Sequence, residues 1–173
     1  MHNTHKISLI AMLTAGAIII SIIESFIPSI GIPGIKLGLA NIIILISLYE
    51  LGAKEAFLIN ILRIYLSNLL RGTIMGMGFF MSLSGGLLSF LVMLLFYLIV
   101  KKFSIIGVSV IGAIAHVVGQ ILIAMLYLGT SLVIFYLPFI ALSAIITGIF
   151  VGIVAKAVIK TGIIKKQRDR YKF

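Results

Sequence analysis

A lysine and an asparagine five residues apart, Lys36 and Asn41, stand in the run Pro33-Gly34-Ile35-Lys36-Leu37-Gly38-Leu39-Ala40-Asn41, at the entry to an apolar segment. Pro33 fixes φ and Gly34 accepts conformations closed to other residues, so the pair reads as a turn. Gly38 leaves the backbone open to close approach. A cation, an amide and bare backbone in that order suit the binding of a polar or anionic group. The structural alternative is a snorkelling lysine beside a helix-packing asparagine. Further on, Asn60, Arg63, Ser67 and Arg71 recur at spacings of three and four, which puts them on one stripe of a helix. His116 and Gln120, four apart, make a second stripe, and Glu24 closes the first apolar run near the same surface. Arginine holds a carboxylate or phosphate with two parallel hydrogen bonds. Three cations and a histidine tending toward one face therefore favour an anionic or strongly polar ligand. Two alternatives stay open: Arg63 paired with Glu24 or with helix-end carbonyls as a lock for the bundle, and His116 with Gln120 as an interhelical hydrogen bond.

The elements that must position these residues are membrane helices. Hydrophobic residues make up 62% of the 173-residue chain, and the mean hydropathy is +1.31, far beyond a soluble domain. The first apolar run leads directly into more membrane sequence, so it is expected to remain in place rather than be cleaved as a signal peptide. Segments of spanning character are expected at about 7–27, 37–51, 55–71, 79–100, 103–128 and 131–157, followed by a basic tail over 158–173. Residues 103–155 hold no Asp, Glu, Lys or Arg and as one helix would be roughly 80 Å long, so they must fold back once, at Leu128-Gly129-Thr130-Ser131. The third segment carries Arg63 at its middle. An arginine there costs at least about 2.5 kcal/mol on insertion scales, so its side chain must face protein or water.

Charge placement sets the expected topology. Seven of the 14 basic residues lie between Lys156 and Lys172. With six crossings and an inside N-terminus, the cytoplasmic side receives Lys6, Lys54, Lys101, Lys102 and that tail, and the outside receives only Lys36 and Arg71. The expectation is one all-α integral membrane domain, a six-helix bundle with both termini cytoplasmic. Glu50 and Glu55 flank a cytoplasmic turn in this scheme and read as solvated charges. The net charge of +10 is a topological signal with some attraction for anionic lipid, and no nucleic-acid partner is expected.

Several chemistries are excluded by what is missing. There is no cysteine, hence no disulfide, thiol catalysis or iron–sulfur site. The sole aspartate is Asp169, whereas a prenyl-diphosphate synthase needs aspartate clusters for magnesium. No phosphate-binding loop of the ATPase type and no zinc-protease spacing occur, so no enzyme activity, metal or cofactor is expected.

The run PGIKLGLANIIILISLY, preceded by SIIESFIP and followed by GAKEAFLINILRIYLSNLLRG, resembles the Gx transporter family, also called heptaprenyl diphosphate synthase component I, from about Ile7 to Lys156. That family is similar in turn to the substrate-binding S-components of energy-coupling-factor transporters. The resemblance implies an S-component-like fold in a bacterial plasma membrane, an outward-facing pocket and a coupling subunit docked on small residues of the first helix. Ala11 and Ala15, with Gly16 beside them, match that docking element. Taken with the residue reading above, it points to uptake of a small anionic solute driven by cytoplasmic ATPases, with Lys36, Asn41, Arg63, Arg71, His116, Gln120 and Glu24 around the solute. The other reading is a non-catalytic membrane anchor for enzymes of isoprenoid, quinone or flavin-linked electron-transfer metabolism.

Overall fold

The computed structural model describes residues 2–27, 36–99, 103–164 and 166. The expected turn at Pro33-Gly34, the Lys101-Lys102 pair and half of the basic tail (165 and 167–173) lie outside the described residues. Six α-helices follow one another: α1 His2–Ser25, α2 Asn41–Glu50, α3 Ala53–Leu70, α4 Met77–Ile99, α5 Ile105–Leu128 and α6 Leu137–Thr161, with a 3-10 turn over Ser131–Tyr136 before α6. Four stretches are long and apolar enough to cross a bilayer: Thr4–Ser25, Met77–Ile99, Ile105–Leu128 and Ser131–Thr161. The chain is a multi-pass membrane protein.

The second segment departs from the sequence reading. A helix was expected over 37–51, but α2 begins at Asn41 and has 10 residues, about 15 Å of rise. Residues 37 and 38 stay irregular and Leu39-Ala40 form a turn. Gly38 adopts φ +85, a left-handed conformation that stops a helix from starting there. Asn41 is thus the first residue of α2 rather than a residue inside it. At the other end of the chain α6 continues to Thr161, four residues into the expected tail.

Turn chemistry explains the remaining boundaries. α5 starts at Ser104, whose hydroxyl accepts a hydrogen bond from the Gly107 N–H at 3.0 Å, and stops at Gly129 with φ +63. Thr130 then caps the 3-10 turn, so the reversal occurs where the uncharged run required it.

α5 is the central element and packs most extensively against α4 and α6. Crossing α4 requires backbone contact: a methyl at Gly85 would come 2.8 Å from the His116 carbonyl oxygen, and one at Gly119 would come 2.8 Å from that of Ser84. Small residues make such approaches possible where lipid supplies no hydrophobic drive between helices. α1 and α3 run parallel. Lys6 pairs with Glu55 at 2.6 Å at one end, and Ser21 meets Ser67 at 3.5 Å toward the other. One apolar core, including Leu13, Ile44, Leu48, Ile59, Phe90 and Val151, fills the Lys6 end. A second, including Met81, Val117, Ile121 and Ile140, lies between α4, α5 and α6. Large apolar side chains such as Leu126, Phe139 and Ile146 point outward, as a lipid-facing surface requires.

Candidate functional site

Residues 36–41 lie against α1, α4 and α5, and two side chains hold their backbone. Gln120 of α5 pairs with both main-chain groups of Lys36: the Lys36 N–H donates to Oε1 at 2.7 Å, and Nε2 donates to the Lys36 carbonyl at 2.9 Å. Glu24, at the end of α1, accepts from the N–H of Gly38 and from that of Leu39 at 3.2 Å. These donors precede α2 and have no helical partner, so a carboxylate satisfies them and suits the positive end of the helix dipole. Both side chains are buried. Irregular backbone at this depth is tolerated because its polar groups are met inside the protein.

With the loop so placed, the Lys36 ammonium donates to Ser82 Oγ on α4 at 3.1 Å. That hydroxyl donates in turn to the Gly78 carbonyl at 2.7 Å. The Asn41 amide donates to Ser89 Oγ at 3.2 Å. Ser82, Gly85, Gly86 and Ser89 form one small, polar face of α4, and the sequence reading missed it. Its signal was present in the spacings of three and four between those residues.

Arg63 is 4% exposed and His116 2%. Arg63 Nη2 donates to Asn60 Oδ1 at 2.7 Å, and Asn60 donates to the Gly86 carbonyl at 3.0 Å. At the end of α3, Arg71 Nη2 donates to Asn68 Oδ1 at 2.9 Å and to Thr73 Oγ1 at 3.1 Å. Asn68 and Thr73 were likewise not foreseen as the groups that orient it. The His116 ring lies against Gly38 and Gly85. Among the described residues, Arg63 Nε, Arg71 Nε and both His116 ring nitrogens are buried without a hydrogen bond of ordinary geometry, although the Gly85 backbone sits beside the ring.

The charges are close together but not paired. Glu24 lies within electrostatic reach of Lys36, Arg63 and Arg71, and Lys36 within reach of both arginines. Yet among the described residues the ion pair closer than 4 Å is Lys6 with Glu55, at the far end of α1 and α3. The Arg63–Glu24 lock considered from sequence is therefore not formed; the Glu24 carboxylate is taken up by loop N–H groups. Burial, followed by the Arg71 charge, pushes the loop ammonium of Lys36 down to about 8, with Glu24 pulling the other way. Glu50 and Glu55, expected as solvated charges, differ from that expectation. Glu50 is buried and Glu55 is held by Lys6, so neither is a freely solvated charge.

Ala11 and Ala15 are far from this cluster. Both are exposed on α1, where with Ile10, Leu58, Leu62 and Leu66 they line an apolar groove of about 470 Å³ between α1 and α3.

No curated protein and no solved structure matches the chain. The family profile for heptaprenyl diphosphate synthase component I matches residues 13–158, which include the loop, both arginines and the α5 stripe. By that match the chain belongs to the heptaprenyl diphosphate synthase component I family, the Gx transporter family.

Proposed function

We propose that this chain is a non-catalytic, solute-binding membrane subunit that captures a small anion at the Lys36–Arg71 end of the bundle. The observation that carries this reading is the cluster of Lys36, Arg63 and Arg71, buried or half-buried, with no carboxylate within 4 Å among the described residues. Uncompensated buried charge costs several kcal/mol, and folding alone gives no reason to gather three such groups. The unfilled donors Arg63 Nε and Arg71 Nε mark where a ligand's oxygens would be received. In this proposal both termini are cytoplasmic, in a bacterial plasma membrane, and the cationic end faces outward. The groove at Ala11 and Ala15 receives a transmembrane coupling subunit that works with cytoplasmic ATPases.

The family name supplies a second reading, a membrane component that anchors an enzyme, and the exposed groove would serve that partner equally well. The test is native mass spectrometry of the chain extracted mildly from its own cells. A retained small anion, lost from Arg63→Gln, supports capture. A chain that emerges empty and bound to an enzyme would overturn it.

A further inference from the structure

The charges around the loop can be counted among the described residues, and their sum restricts what the site accepts. Four acidic residues exist in the whole chain: Glu24, Glu50, Glu55 and Asp169. Glu50 ends α2, about 15 Å of helix away from Asn41. Glu55 sits in the first turn of α3, at the end opposite Arg71, and is bound to Lys6. Asp169 belongs to the tail that follows α6, outside the described residues. Gly152 of α6 packs on Ile106 at the start of α5, while His116 lies ten residues further along α5. Glu24 is therefore the one carboxylate at the loop end among the described residues. Three cations set against one carboxylate leave two positive charges.

Glu24 is the one negative charge facing these cations among the described residues, and its Oε1 already accepts from Gly38 and Leu39. The acceptors nearest the cations, Asn60, Asn68, Thr73 and Ser82, are all neutral. Each guanidinium keeps its Nε unfilled, and the buried His116 ring lies between Gly38 and Gly85, beside the Gly85 backbone. The unfilled guanidinium donors are places for further oxygen atoms. A ligand with a single negative charge would leave one buried cation unbalanced. One with two would neutralise the cluster.

Resting on the anion-binding reading above, we infer that the site selects dianions, a phosphate monoester or a dicarboxylate, over monoanions of the same size. Both ligand types offer the shared feature of two negative charges spread over several oxygens, which suits three separated donors. Selection comes from the surplus charge of the site and not from its shape alone. Removing one cation therefore changes which charge state is preferred.

The experiment uses the full chain in nanodiscs of zwitterionic lipid, where anionic headgroups are absent, at pH 7 and fixed ionic strength. Thermal unfolding is followed against succinate and butyrate, which share a four-carbon skeleton, and against glycerol 3-phosphate and glycerol. In the parent, each dianion should reach half-saturation at a concentration roughly tenfold or more below that of its less charged counterpart, equivalent to about 1.4 kcal/mol. Arg71→Gln, at the half-buried end where folding is least at risk, should bring the succinate-to-butyrate ratio close to one. Lys36→Gln should do the same through the other loop. Equal effects of succinate and butyrate in the parent, or a ratio untouched by both substitutions, overturns the charge selection while leaving anion capture standing. If no anion shifts unfolding at all, both the selection and the capture reading fall.

Discussion

Replacing Gln120 with leucine should release the Lys36 loop from α5. The side chain is 1% exposed and leucine is close to it in volume, so the change subtracts hydrogen bonds more than packing. Two bonds disappear, at 2.7 and 2.9 Å, and they leave the buried Lys36 N–H and carbonyl without those partners. Each of the two orphaned groups costs about 1–2 kcal/mol, the lower part of the usual range because the loop can relax, so the local penalty is roughly 2–4 kcal/mol. Hydrogen exchange reads that penalty where it arises. The Lys36 amide should be protected in the parent, and its exchange should accelerate about 30- to 1,000-fold in Gln120→Leu. Amides in the middle of α5 should change far less. Gln120→Glu separates the two bonds, since a carboxylate can accept from the Lys36 N–H but cannot donate to its carbonyl. It should fall between parent and leucine. Equal exchange of the Lys36 amide in all three proteins would show that Gln120 does not hold the loop, and the site geometry built on that clamp would fail.

Gly38→Ala should destabilise the loop by about 1–2 kcal/mol, because its φ of +85 strains any side chain and the new methyl would meet Asn41 Nδ2 at 3.0 Å; unchanged thermal unfolding would contradict the conformation. Gly85→Ala should cost about 1–3 kcal/mol, since the methyl meets the backbone oxygen of His116 at 2.8 Å rather than a yielding side chain; a variant as stable as the parent would mean that α4 and α5 cross less closely. The Lys36 ammonium, pushed down to about 8 by burial and by Arg71 and Arg63 against the pull of Glu24, with His116 of α5 also nearby, predicts opposite pH trends for stability and binding. Between pH 8 and 10 the folded chain sheds this proton before the unfolded chain does, so stability should rise by about 2 kcal/mol. Over the same interval anion affinity should fall, and flat profiles for both in the parent, or unchanged ones in Lys36→Met, would refute the assignment. Ala15→Trp, in the open groove, should leave folding and ligand retention intact and abolish association with a partner; loss of folding would place that face inside the bundle.

The stripe through Asn60, Arg63 and Ser67 was legible because spacings of three and four put polar groups on one face, and in lipid that face has to turn inward. The reversal at Gly129 was legible because an uncharged run of that length has to fold back. What surrounds Arg63 was not legible. Its partner could have been a carboxylate elsewhere in the chain, and charge alone favoured Glu24. The structure gives it Asn60, one turn away, because Glu24 is drawn off by two backbone N–H groups that exist only once Gly38 has turned out of helix. Leu37 to Ala40 read as the first turn of a spanning segment on hydropathy, and hydropathy is blind to φ. The pairing of Gln120 with Lys36 joins residues 84 apart and uses main-chain atoms, so no residue type at position 36 could have announced it.

The site divides its polar groups in a way that bears on function. Neutral and acidic acceptors, Gln120 and Glu24, are used on the loop backbone, where a buried N–H has to be met. The cations do not share in that work, for Lys36 reaches a serine, Arg63 an asparagine and Arg71 an asparagine and a threonine. Each of these bonds could be made by an uncharged amide without the desolvation cost of an ion. The positive charges are therefore surplus to the fold as it stands. Arg63→Gln, which can still donate to Asn60, should fold at least as stably as the parent while losing the anion. Should that variant instead unfold at markedly lower temperature than the parent with no ligand present, Arg63 would be a structural residue and the surplus-charge argument would not hold.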